Sequence, residues 1–196
     1  KFLKLLLIIT LTFLIIGLKM NSLLPKERNM IFETERLVIR KLRSVDLLLF
    51  HDMQGNPNVM KYVKNPMSIT ESEKELNRFI NYYTSDGMLY NIWAIESAVD
   101  REFIGICGVY ENDKSEREIA YRLRERHWGK GFGREIVSGL INFLFEERKI
   151  EEVVAYVNRL NLGSVSILEK EMEFVEEFYS EKEKCTERKY QFSKEN

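Results

Sequence analysis

Cysteine and histidine are scarce in this chain, two of each in 196 residues, and the scarcity removes several kinds of protein at once. Cys107 and Cys185 stand far apart with no C-x-x-C spacing, so a metal site or a disulfide framework has little support. They read as two reduced thiols of a cytoplasmic protein, and no metal is expected. His51 falls in an amphipathic helical pattern and His127 beside a glycine-rich turn, and neither place asks for a catalytic imidazole. Net charge is also nearly absent. Thirty basic residues stand against 31 acidic ones, a balance of −1, which gives no reason for the molecule as a whole to hold a nucleic acid. There are only three prolines, no Pro/Gly/Ser-rich linker and no internal repeat. From Met30 onward, 30–196 reads as one domain, and 44% hydrophobic content suffices for its core.

Residues 1–29 differ in kind. Leu5 to Leu18, "LLLIITLTFLIIGL", is almost unbroken apolar sequence between Lys1 and Lys4 on one side and Lys19, Lys26 and Arg28 on the other. Its 14 residues would span about 21 Å as a helix, short of the roughly 30 Å hydrocarbon layer. No small-residue cleavage site follows, which argues against a removed secretory signal. Three readings stay open: a membrane anchor through residues 1–19, a helix packed on another subunit such as a homodimer partner, or sequence upstream of a start at Met20 or Met30.

Alternation and helical spacing set out the rest. "ERLVIRKL" (35–42), "YNIWAIE" (90–96), "EFIGICGVY" (102–110), "REIAYRLR" (117–124), "EEVVAYV" (151–157), "EFVEEF" (173–178) and "RKYQFS" (188–193) read as strands. Helices are expected through "DLLLFHDM", after a capping box at Thr70-x-x-Glu73, along the stripe Ile136, Val137, Leu140, Ile141 and Leu144, and from about Asn161 to Lys170. Short links among the strands from 90 to 124 predict antiparallel neighbours. The fold class is therefore α+β, a mixed, mostly antiparallel sheet with helices on its faces.

Between the strand at 117–124 and the next helix lies "HWGKGFGREIV" (127–137), with three of the ten glycines in five positions. Strand, glycine turn and helix start together make a phosphate cradle, in which free main-chain N–H groups and the helix dipole meet the anion. A plain tight turn is the alternative. The Walker pattern G-x-x-x-x-G-K-[ST] is absent, and the dinucleotide pattern G-x-G-x-x-G fails from Gly129, where the last place is Arg134, and from Gly131, where it is Ile136.

"WGKGFG" is similar instead to the R/Q-x-x-G-x-G/A pyrophosphate loop of the GNAT acetyltransferases, with Trp128, Gly131 and Gly133 in the first, fourth and sixth places. "TERLVIRKL" (34–42) resembles the first strand of the RimJ/RimL branch, and "NLGSVSILEK" (161–170) its Asn-x-x-Ser helix. The resemblance covers Thr34 to about Phe178. It implies a GNAT fold of about six to seven strands, the two central parallel strands splayed, and acetyl-CoA as acetyl donor. Carried onto this sequence, it puts Trp128, Gly129, Lys130, Gly131, Phe132, Gly133 and Arg134 at the phosphates, with main-chain amides giving most of the grip. Arg122, Arg124, Arg126, Lys130 and Arg134 form a cationic cluster, although alternation sends Arg122 and Arg124 to one face, opposite Leu123.

The same resemblance implies that Leu123 orients the acetyl group through its backbone and that Asn161 fastens the cofactor, helix capping being its alternative. An amine attacks the thioester directly, and Glu118 is the best-placed base, unless it is an ordinary solvated residue. Ser164 could protonate the leaving thiolate or simply bond its own helix. The helix tyrosine common in the family is replaced by Leu168, and "EKEMEF" has one residue more than the usual "EKLGF" and no glycine. The expected acceptor is a protein N-terminal amine. A small amine such as a polyamine or antibiotic, and an idle acetyl-CoA-binding module, are the alternatives. Tyr82, Tyr83 and Tyr90 line the acceptor pocket or fill core.

Overall fold

A computed structural model describes residues 30–84 and 90–194. The expectations for residues 1–29, and for the middle of the 81–91 segment, fall outside those residues. Among the described residues no helix is long and apolar enough to cross a membrane.

Eight strands form one sheet in the order β1-β2-β3-β4-β5-β6-β8-β7. They are β1 (Met30–Glu33), β2 (Leu37–Lys41), β3 (Tyr90–Ser97), β4 (Phe103–Glu111), β5 (Arg117–Leu123), β6 (Glu152–Asn158), β7 (Glu173–Ser180) and β8 (Cys185–Ser193). The sequence predicts six to seven. The eighth is β1, four residues set off from β2 by the bend at 34–36, too short to show an alternation of its own. The β2–β3, β3–β4, β4–β5, β6–β8 and β7–β8 pairs are antiparallel, and β5–β6 is parallel.

The helices are α1 (Leu47–Gln54), α2 (Pro57–Met60), α3 (Ile69–Tyr82), α4 (Phe132–Glu146) and α5 (Leu162–Glu171). One face of the sheet packs on α1 and α3 through Phe50, Met53, Leu76, Phe79, Ile92 and Ile106. The other packs on α4 and α5 through Ile95, Ile104, Ile119, Ile136, Leu140 and Leu168. Covered on both sides, β3 and β4 are buried along most of their length, which explains their nearly continuous apolar sequence. The predicted stripe Ile136, Val137, Leu140, Ile141 and Leu144 is the buried face of α4.

Two local details differ from the sequence reading. The capping box of α3 is Ser68-x-x-Glu71, with Glu71 accepting from the Ser68 amide at 2.7 Å and Ser68 Oγ accepting from the Glu71 amide at 3.3 Å. Thr70 and Glu73 repeat the same spacing two residues later, already inside the helix. The extra residue of "EKEMEF" is absorbed in β7, whose register against β8 slips between Phe174 and Glu176. Met172 leaves α5 extended, so no left-handed glycine is required there.

The β5–β6 pair positions the site. These seven-residue strands are in register at a single place, Glu118 opposite Val154. Glu116, beside the β4–β5 turn, pins that closed end. Its carboxylate accepts from Tyr156 Oη at 2.7 Å, Lys189 Nζ at 2.6 Å and Asn112 Nδ2 at 3.0 Å. Burial alone would raise its pKa, but Asn112, Lys189 and Tyr156 outweigh that effect and hold it down at about 2. Beyond Glu118 the strands part.

Candidate active site

The parting strands open a cleft of about 870 Å³. On the α5 side Tyr121, Asn161, Ser164 and Leu168 line it, and on the α1–α3 side Tyr90, Tyr110, Glu118 and Arg122 do. It therefore reaches both faces of the sheet.

At the open end the chain passes through a short 3-10 turn, Glu125–His127, into the glycine loop. Gly129 and Gly131 both adopt left-handed backbone conformations, φ +70° and +82°, and Gly131 directly precedes α4. Side chains disfavour such values, which accounts for glycine at these two places. The main-chain N–H groups of Gly129, Lys130, Gly131, Phe132, Gly133 and Arg134 have no hydrogen-bond acceptor among the described residues; the first bond of the helix is Glu135 N–H to Gly131 O, 3.1 Å. Six free donors at a helix start fit a diphosphate.

What holds the loop was not anticipated. Glu135 accepts from Thr34 Oγ1 at 2.6 Å, from the Arg36 amide at 2.8 Å and from Arg36 Nε at 2.7 Å. Arg36 also donates to Lys130 O at 3.1 Å and lies 4.7 Å over the Phe132 ring. Thus Thr34 and Arg36 are the bracket that fixes the loop's shape, a reason for those two residue types to accompany the glycines.

The five cations of the sequence cluster separate. Arg124 is buried and turns to α1 and β4, bonding Asp52 at 2.7 Å and Phe103 O at 3.0 Å, so its side chain points away from the loop. Arg122 follows it to the same face and bonds Gln54 Oε1, and Leu123 faces the α4–α5 core, as alternation predicts. Arg126 pairs with Glu102 and Arg134 with Glu171. Lys130 stays exposed at the loop without a carboxylate among the described residues. Trp128 Nε1 donates to Leu123 O at 3.0 Å. Because the next amide, Arg124 N–H, bonds Ile104 O of β4 at 2.9 Å, the N–H of Leu123 points to the β6 side and into the gap.

Asn161 caps α5, its Oδ1 accepting from the Ser164 amide at 3.4 Å, and its Nδ2 has no partner among the described residues. Ser164 lines the cleft next to a group the sequence reading missed. The hydroxyl of Tyr121 is fully buried without a hydrogen bond of acceptable geometry, and burial raises its pKa, with the Ser164 side chain near enough to oppose that rise. Its ring packs between the start of α4, 3.6 Å from a Cβ placed on Gly133, and α5. Only its inward register on β5, visible from alternation with Ile119 and Leu123, marks it in the sequence.

Glu118 is deep in the cleft. Tyr110 Oη donates to it at 2.5 Å and Asn112 Nδ2 at 3.2 Å. Burial raises its pKa, and the two hydrogen bonds only partly offset this. The histidines stand apart from this chemistry: His51 Nδ1 lies 3.0 Å from Ser72 Oγ between α1 and α3, and His127 is buried behind the loop, its pKa lowered by burial. Tyr90 lines the cleft, stacked on Tyr110 at 5.3 Å, whereas Tyr83 fills core and its hydroxyl accepts from the Leu42 amide.

Comparison with known proteins agrees with this geometry. Residues 36–171 match the family model described as acetyltransferase (GNAT) domain. An uncharacterized N-acetyltransferase, p20, of Bacillus licheniformis is 30% identical over 138 residues, covering 69% of this chain and 77% of that one. Spermidine N(1)-acetyltransferase of Vibrio cholerae is 27% identical, covering 72% and 80%. The crystal structure of the acetyltransferase from Salmonella typhimurium that modifies the N-terminal serine of 50S ribosomal subunit protein L7/L12 superposes with a TM-score of 0.72 at 13% identity, covering 85% of this chain and 99% of that one. The chain belongs to the GNAT acetyltransferase family, enzymes whose acetyl donor is acetyl-CoA.

Proposed function

We propose that this enzyme acetylates a protein N-terminal α-amine. The observation that carries the reading is the cleft itself, which brings Tyr121, Asn161 and Ser164 on one side of the sheet together with Glu118 on the other. The six free amides and Lys130 bind the phosphates, and the inward N–H of Leu123 and Nδ2 of Asn161 orient the rest of the donor. The amine nitrogen bonds the acetyl carbon, its proton passes to Glu118 directly or through water, and the carbon–sulfur bond breaks. The departing thiolate takes a proton from Tyr121, held beside Ser164. A peptide is favoured over a polycation because the cleft wall carries both signs, Lys61, Lys64 and Arg122 as well as Glu118, Glu183 and Glu187. Polyamine acetylation is the second reading, motivated by the relative named spermidine N(1)-acetyltransferase. The deciding experiment measures thiol release from acetyl-CoA with peptides, polyamines and aminoglycosides in parallel. Peptides should turn over fastest, and polyamines ahead of them would overturn the reading. Silence throughout, with coenzyme A still bound, would mark an idle binding module.

Two substitutions probe the donor side. Gly131→Val forces a branched residue into φ +82°, where even a Cβ stands 3.3 Å from Arg36 Nη2. Calorimetric affinity for coenzyme A should fall about 10-fold or more. Gly129→Ala carries similar strain with nothing within 4 Å and should lose less. Tyr121→Phe should lower kcat about 10-fold with little change in the KM for acetyl-CoA. An unchanged kcat would leave protonation of the thiolate to Ser164 or solvent.

A further inference from the structure

On the α1–α3 side the sheet presents three successive rows across β3, β4 and β5. Tyr90, Tyr110 and Glu118 form one row, Ile92, Gly108 and Ala120 the next, and Ala94, Ile106 and Arg122 the third. The space over Gly108 is taken by Ile92 Cδ1, but the middle row ends in Ala120, whose small side chain leaves a hollow between Glu118 and Arg122 in the cleft lining. These two are four residues apart on one face, about 13 Å of strand.

Arg122 differs from the other arginines near the site. Arg117 pairs with Glu111, Arg124 with Asp52 and Glu102, Arg126 with Glu102 and Arg134 with Glu171. Among the described residues Arg122 has one hydrogen-bond partner, the neutral amide oxygen of Gln54, and no carboxylate within ion-pair distance, the charge of Glu75 reaching it only at longer range. A half-buried guanidinium with five donors and a single neutral acceptor turns its remaining donors to the cleft it lines. Burial lowers its pKa to about 10, and it remains charged at neutral pH. Lys61 and Lys64 lie on the same lining, whereas Glu183 and Glu187 belong to the β7–β8 hairpin, on the far side of β6.

We propose that Arg122 is an oxyanion-recognition site of the acceptor pocket, so that the acceptor carries a carboxylate or phosphate close to the amine that is acetylated. The inference rests on the acetyl-transfer reading above and narrows it. Glu118 receives the amine's proton at one end of the hollow, and Arg122 grips the anion at the other, bidentately, as a guanidinium grips carboxylate or phosphate. For a peptide acceptor this means an acidic side chain within the first few residues. A polycation such as spermidine leaves the guanidinium unpaired and adds like charge beside it.

The test uses the full chain, acetyl-CoA and peptides identical except at the second residue: Glu, Gln, phosphoserine or Lys. The Glu or phosphoserine peptide should exceed the Gln peptide by about 10-fold or more in kcat/KM, chiefly through KM, and the Lys peptide should be poorest. The Glu and phosphoserine arms separate carboxylate from phosphate as the preferred anion. In Arg122→Met the preference should collapse to within about two-fold, and Arg122→Lys should retain part of it. Equal turnover of Glu and Gln peptides by the parent enzyme, or spermidine as the best substrate, overturns the inference and leaves acetyl transfer standing. The same peptides are titrated calorimetrically into the enzyme saturated with coenzyme A. If nothing turns over, a 10-fold binding preference for the anionic peptide still supports Arg122, while equal or absent binding overturns it together with the transfer reading.

Discussion

Glu118→Gln is expected to lower kcat about 100- to 1,000-fold while leaving the KM for acetyl-CoA within about two-fold. An attacking amine must lose a proton as its nitrogen bonds the acetyl carbon, and Glu118 is the carboxylate proposed to take it. Glutamine keeps the size and can still accept from Tyr110 Oη, but it turns an amide NH2 toward Asn112, whose bond at 3.2 Å is lost. That loss costs about 1 kcal/mol of stability, far less than the fall in rate represents. The pH profile separates a base from a structural residue. Burial raises the pKa of Glu118 above the ordinary glutamate value of 4.5, so its proton-accepting form disappears as pH falls through that raised pKa. In the parent kcat/KM should therefore decline on the acid side at a higher pH than a solvated glutamate would give, and in the variant this limb should vanish. A variant with the parent's rate and the parent's acid limb would remove Glu118 from the reaction.

The glycine corner was readable in sequence because its chemistry is local. Six consecutive main-chain N–H groups, left-handed glycines and a helix start are neighbours along the chain, and motif spacing records them. The β5–β6 splay followed from resemblance, and its physical cause, a single register pair clamped by Glu116, spans residues 116, 156 and 189 and has no local signature. The same holds for the bracket of Thr34 and Arg36 on Glu135, about 100 residues apart. Alternation placed Arg122 and Arg124 on one face, but it could not show that Arg124 finds Asp52 and Glu102 while Arg122, among the described residues, bonds only the neutral Gln54. Tyr121 belongs to no motif, and the helix position where the family commonly has a tyrosine holds Leu168. The chain supplies a hydroxyl to the same lining from the neighbouring strand instead.

Arg40→Met should destabilise the fold by about 3 kcal/mol, lowering Tm by roughly 6–12 °C. Arg40, on β2, is 1% exposed, donates to Asp46 at 2.7 and 2.8 Å and reaches Glu96 at 2.6 Å, joining β2, β3 and the turn before α1. Methionine fills the volume but strands two buried carboxylates, and removing one partner of a buried ionic network costs about 3–5 kcal/mol. The lower end applies because Glu96 keeps Arg43 at 3.2 Å and Arg101 at 3.1 Å, and Asp46 keeps the Arg43 amide at 2.8 Å. Adding Asp46→Asn and Glu96→Gln to Arg40→Met removes the stranded charge and should recover about 1 kcal/mol or more, a non-additivity that defines a network. Urea unfolding of the parent, Arg40→Met, the Asp46→Asn/Glu96→Gln double variant and the triple variant checks this. A loss below about 1 kcal/mol in Arg40→Met, or a triple variant less stable than the single one, would show that the cluster is solvated in solution. β2 would then owe its place to Leu37 and Ile39, both fully buried, and to its ladder with β3.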